Sequence, residues 1–292
     1  MHSFLRATGF SNLDNQTLKD ILSDVFHEYT ERTIAKEEGR KAFIEYTKYF
    51  GENLGIKVCG TLDSQGFHQE YYFPFFKGTT ISSYEDLSIE KHGFRESFAG
   101  ICEDIRMGVS IIFYVQNAAK YKKETILNRL VSDKISTSFS GLSLNGKILL
   151  PVMKDEDYAK TSAEAASKRS KMIAAARQGD AEAMESLTLE DIDMYSMINH
   201  RIVKEDVYSI IDTLFMPYGL ECDQYQVVGN ILWVEKVTNI YTKEKIYQMG
   251  IECNDMKLDV CINEKDLLGN PEVGRRFKGV VWLQGHINFP NK

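Results

Sequence analysis

The chain has 292 residues, 43% of them apolar and 26% charged, with a formal net charge of −7. That apolar share supports a packed core and excludes disorder as the state of the whole chain. A prior of roughly 150 residues per domain points to about two domains. The net negative charge opposes non-specific nucleic-acid binding, which needs a positive field, without excluding a local patch.

The N-terminal region opens with a helix. Asp14 is placed to cap it, and Leu18, Ile21, Leu22, Val25, Phe26 and Tyr29 form one apolar stripe. From about 41 to 116 the pattern turns to strands. Ile56 to Cys59 is short and β-like, and Glu70 to Phe76 is aromatic, with Pro74 marking an edge or a strand end. Val109 to Val115 is continuous and β-branched, as a strand covered on both faces would be. One or two further strands fall within 85–105, and a helix is predicted near Glu124 to Val131. Asn145-Gly146 between apolar runs predicts a hairpin, because both residues accept positive φ. These elements define an α+β domain over residues 1–153 with an antiparallel sheet and helices.

Residues 154–219 read as a helical connector. Asp155 to Arg177 is rich in Ala, Lys and Ser, Gly179 stops the helix and Asp180 caps the next one. A further helix is predicted from about Glu205, with Val207, Ile210, Ile211, Leu214 and Phe215 on one face. Residues 220–292 then read as all-β. Tyr225 to Val237, Lys245 to Glu252, Lys257 to Asn263 and Phe277 to Phe289 are strand-like, which predicts a small OB-like barrel.

Motifs for chemistry are sparse. No phosphate-binding loop, dinucleotide fingerprint, nucleophile elbow or His-Glu-x-x-His is found. The six histidines are scattered, so neither a metal nor another cofactor is expected. Cys59, Cys102, Cys222, Cys253 and Cys261 are odd in number and form no Cys-x-x-Cys pair, which predicts free thiols in a reducing compartment. Cys222 lies between two acids and Cys261 lies mid-strand, so neither reads as a nucleophile. Met1 to Arg6 carry no apolar stretch and no run is long enough to cross a membrane, which predicts a cytoplasmic protein.

The positive candidate is the last strand. Lys278, Trp282, Gln284 and His286 share one face and, with Arg275 and Arg276 clustered beside them, would offer a basic and aromatic surface suited to an anion, a protein segment or an oligonucleotide. The competing reading packs Trp282 inward and pairs the arginines with acids such as Glu272.

Ala175 to Leu187 is similar to the phrase that opens Sel1-type repeats, but one copy defines only a helix–Gly–helix turn. Five other phrases, Phe4 to Ser11, Glu70 to Phe76, Asn145 to Val152, Phe215 to Asp223 and Gly274 to Gly285, together resemble an uncharacterised bacterial family of about this length, a domain of unknown function. The resemblance implies no activity, cofactor or catalytic residue. The expectation is therefore a non-catalytic binding or regulatory protein with a protein partner or small ligand. The alternatives are an enzyme of unfamiliar type with an interdomain site and a single-stranded nucleic-acid binder. Oligomeric state is left open.

Overall fold

The computed structural model describes residues 2–39, 41–91, 97–128, 135–152, 168, 171–176, 179–189, 211–220 and 222–290. Ser3–Thr8 form a 3-10 turn that Gly9 ends at φ 88°, and α1 (Asn15–His27) follows. Asp14 caps α1 as expected, its Oδ1 accepting the Thr17 N–H at 2.7 Å. Leu18, Ile21 and Val25 of the stripe are buried, each contributing about 1.5–3 kcal/mol by leaving water.

Four strands make the first sheet: β1 (Glu31–Ala35), β2 (Ala42–Gly51), β3 (Leu54–Asp63) and β4 (Gly66–Phe76), antiparallel in that order. β4 is an edge strand, as its proline predicts. The second sheet is larger and mixed. It takes in β5 (Leu87–Lys91), β6 (Phe98–Cys102), β7 (Ile111–Val115), β8 (Ser136–Leu149), β9 (Leu214–Pro217), β10 (Gln224–Thr238), β11 (Lys245–Cys253), β12 (Met256–Asn263), β13 (Leu267–Leu268) and β14 (Arg276–Asn288). A short helix, α2 (Ala118–Ile126), follows β7 and starts earlier than the sequence predicts. The molecule is mostly β, a correction to the α+β expectation.

Residues 220–292 do not make a barrel of their own. β8, from the front half of the chain, pairs in parallel with β12 and antiparallel with β14. The pairing path β14–β10–β11–β12 therefore returns to β14 through β8, and β14 carries the sheet on to β7, β6 and β5. The tail lacks a strand that only β8 supplies, so one sheet joins the parts expected at 1–153 and 220–292. Apolar residues of both sheets form a single core.

Two further expectations are corrected. β8 continues through Asn145-Gly146 with a register shift against β14 there, and neither residue has positive φ. β14 pairs along the length of β8, and a Cβ on Gly146 would lie 2.6 Å from the Phe277 ring, so the glycine serves close packing. A two-residue turn with both residues at positive φ lies instead at Asn254-Asp255, between β11 and β12. Leu214 and Phe215 belong to a strand that pairs with β10, not to a helix. Glu205 to Ile210 of that predicted helix lie outside the described residues, as does most of 155–177. Helix is found at 171–176 and 181–189. Between them Gly179 has φ 90°, and Asp180 accepts the Glu182 and Ala183 N–H groups as a cap.

Candidate functional site

The expected basic and aromatic row of β14 does not reach solvent as a face. Arg275 is half-exposed, pairs with Glu272 at 2.9 Å and donates to Asn270 O. Arg276 is only 3% exposed, and its guanidinium donates to Leu150 O at 3.0 Å and Ile211 O at 2.7 Å. It thus fastens the chain where it leaves β8 to where it enters β9. Lys278 is half-buried. Trp282 is 6% exposed; its Nε1–H donates to Asp223 Oδ2 at 2.7 Å and its ring stacks on Phe4 at 5.3 Å between centres. Gln284 is fully buried, and His286 is half-buried. β14 is an interior strand, and on the face that looks polar in sequence Gln284 is covered by the first sheet and Trp282 by the N-terminal turn.

Beneath that cover lies a polar seam between the sheets. Gln116 Nε2 lies 2.7 Å from Phe76 O and 2.7 Å from Gln284 Oε1, and Ser140 Oγ donates to Phe76 O. Deeper in, the Glu45 carboxylate is fully buried and accepts the Ala119 N–H at 2.9 Å, fixing the first turn of α2. Burial pushes the Glu45 carboxyl up, against the pull of Lys57 and the α2 N–H groups. Cys59 Sγ lies 3.9 Å from Glu45 and is hydrogen-bonded to Tyr71. Burial raises Cys59, Tyr71 and Tyr114 alike. A sealed thiol held protonated is a poor nucleophile, so this cluster orients α2 and the sheets. Cys261 is likewise enclosed, donating to Ala7 O at 3.2 Å. Among the described residues, no three of His, Cys, Asp and Glu gather as metal ligands.

Among the described residues a groove of about 580 Å³ opens beside α1. One helix face, Lys19, Leu22, Ser23 and Phe26, makes one wall, and Phe67 and Gln69 of β4 make the other. The spacing i, i+3, i+4, i+7 turns the four helix residues to one side; the spacing i, i+2 does the same on the strand. Phe26 stacks on Phe67 at 5.2 Å, nearly parallel, and closes the floor. Lys19 is the one charged residue of this lining.

The same strand has a bare backbone edge. β4 pairs with β3 on one side, and no described strand pairs with the other. Gln284 and Gln116 cover that edge at Pro74 and Phe76, and His2 N donates to the Tyr72 hydroxyl at 3.1 Å. Along Gly66 to Gln69 no described strand or side-chain amide covers the edge, and His68 and Gln69 are exposed. Sequence reasoning found the α1 stripe and the edge character of β4. It missed the groove, whose polar residues carry no motif.

The two sheets and the helix-flanked edge strand define a mostly-β protein with an open groove on one sheet. The family model described as "Domain of unknown function, E. rectale Gene description (DUF3881)" matches residues 5–285, and the chain belongs to that family. This is the kind of family that the sequence phrases resemble. No curated protein and no solved structure matches the chain. No described helix is long and apolar enough to cross a membrane.

Proposed function

We propose that this is a non-catalytic binding protein that takes an extended segment of a partner protein as an added strand on β4. The observation that carries the reading is the coincidence of the open β4 edge with the α1 groove. Backbone groups on an unpaired edge accept any extended chain, and pockets beside it select alternate side chains. A strand added at Gly66 to Gln69 would turn every second side chain toward Leu22, Phe26 and Phe67. Lys19, the one charge of the lining, specifies the complement: a large apolar side chain followed by a carboxylate. The five cysteines remain free thiols, which suits the cytoplasmic setting proposed with it.

Selection from a random peptide library on the full chain tests this. Selected peptides should pair an apolar residue with an acidic one and slow hydrogen exchange at the backbone amides of 66–70. Lys19→Glu should weaken them about fivefold to tenfold, the worth of a partly exposed ion pair turned repulsive. Peptides that protect other strands, or turnover of a generic ester, phosphate or glycoside substrate, would overturn the reading.

A further inference from the structure

We infer that the loop from Lys77 to Ile81 is a proton-controlled clasp, shut over Asp259 while that carboxyl carries a proton and released as the proton leaves. The loop follows β4 at the end opposite the open edge, and the clasp does not depend on strand addition there. Asp259 stands in the middle of β12, between β11 and β8. Its Oδ2 accepts the Thr79 N–H at 2.6 Å, the Thr79 hydroxyl at 3.1 Å and the Thr80 N–H at 3.3 Å. The loop backbone passes close over both β8 and β12. A Cβ on Gly78 would lie 3.1 Å from Phe139 O and 3.6 Å from Asp259 Oδ2. The ends of the loop are fastened separately, the Lys77 N–H to Asn53 O at 2.7 Å and the Ser82 N–H to Thr137 O at 2.8 Å. Between those points Thr79 and Ile81 are exposed, and the Asp259 carboxyl ties the backbone down.

The two carboxyl oxygens are held unequally. Asp259 is 1% exposed, and its Oδ1 is buried with no hydrogen-bond partner among the described residues. An ionised carboxylate leaves that oxygen bare, and a bare buried charge costs more than a neutral group. A proton on Oδ1 removes the charge and keeps Oδ2 free to accept all three donors. Gly250 of β11 and Ser140 of β8 lie directly opposite Asp259, and neither is charged. On β12 the same face carries Lys257, exposed and opposite Glu252, and Cys261, whose thiol donates to Ala7 O. Lys77 begins the loop. Among the described residues no ion pair joins Asp259 to either lysine; its partners are Thr79 and Thr80. Those donors favour the charged form, and burial outweighs them, holding the carboxyl above its ordinary value. Once the loop lifts, water reaches Oδ1 and the ordinary value returns. The closed loop thus keeps a proton that the open loop sheds. That stabilisation of closure is fully present below the open-loop value of about 3.9, and it is lost as pH rises through the closed-loop value.

Amide hydrogen exchange of the full chain, followed by NMR as pH is raised from about 4, tests the clasp. Exchange from an open amide is first order in hydroxide, so its rate grows about tenfold per pH unit. Opening that releases one proton adds up to about another tenfold per unit. The logarithm of the Thr79 and Thr80 rates should therefore rise with a slope above about 1 and up to about 2, returning to about 1 beyond the closed-loop value. Amides of the β11–β12 ladder, which open with the whole fold, supply the global contribution to subtract. Asp259→Asn keeps the shape and cannot titrate, so both loop amides should show a slope of about 1 throughout. In the parent, the Asp259 carboxyl carbon signal should titrate above about 3.9. A slope at Thr79 and Thr80 no steeper than that of the ladder, the same excess slope in Asp259→Asn, or a carboxyl midpoint at or below the ordinary value would overturn the inference. Should Asp259→Asn fail to fold, the parent slopes and the carboxyl midpoint still decide it.

Discussion

The Gln284 carboxamide pairs with the backbone at Phe76 as a neighbouring strand would. The Phe76 N–H donates to Gln284 Oε1 at 3.4 Å, and Gln284 Nε2 donates to Pro74 O at 2.9 Å. One side chain of the large sheet thereby satisfies an edge of the small one. Both ends of the contact are fully buried, so nothing else replaces it.

Gln284→Ala should destabilise the fold by about 2–4 kcal/mol, because the cavity adds to two buried backbone groups left unpaired. Gln284→Leu should recover little, since it fills space but offers no partner. Denaturant unfolding measures both; losses under about 0.5 kcal/mol, the range of ordinary surface changes, would deny the contact its role.

Gly146→Ala should cost about 1–3 kcal/mol by overpacking, because its Cβ would sit 2.6 Å from Phe277 and 2.9 Å from Ile262. Phe277→Leu in the same chain should relieve part of that cost. A double-mutant cycle reads the coupling, and a coupling of zero would contradict the close packing of β8 on β14.

Acid should weaken the protein partly through His286 and His2. Burial, reinforced by the neighbouring lysines, holds His286 down to about 3; burial and the N-terminal ammonium hold His2 down to about 4. In the unfolded chain both take a proton near the ordinary value of about 6.5. Their contribution is complete above that value and is lost as pH falls from about 6.5 toward the folded values, with a slope of at most about 1.4 kcal/mol per pH unit for each. Glu45 and Asp259, raised by burial, act in the opposite sense. The diagnostic is therefore the difference between parent and His286→Gln. Unfolding free energy of the variant should fall less steeply between pH 6.5 and 4, and parallel profiles would exclude the assignment.

Local order was legible wherever neighbours in sequence settle it. The α1 stripe and its Asp14 cap, the edge character that Pro74 confers on β4, and the strands β10, β11 and β12 all follow from periodicity and turn chemistry. The errors occur where a distant strand intervenes. Asn145-Gly146 has the composition of a turn, yet long pairing with β14 on one side, and with β12 and then β13 on the other, outweighs a two-residue preference. Leu214 and Phe215 fit a helical face, yet β10 offers them a ladder. The row from Arg275 to His286 was read as a solvent face from its alternation alone, which cannot reveal a second sheet lying over it.

What the residues determined unaided was therefore a composition able to form a packed core, the positions of most strands, the capped first helix and the absence of any familiar catalytic motif. Those properties depend on side chains within a few positions of one another. Which strands share a sheet, which polar side chains become glue between layers, and where a groove opens were decided by long-range pairing. β8 completes what the tail cannot, and its arrival covers β14. A one-dimensional pattern records that a face is polar, whereas only the assembled layers say whether water or another backbone meets it.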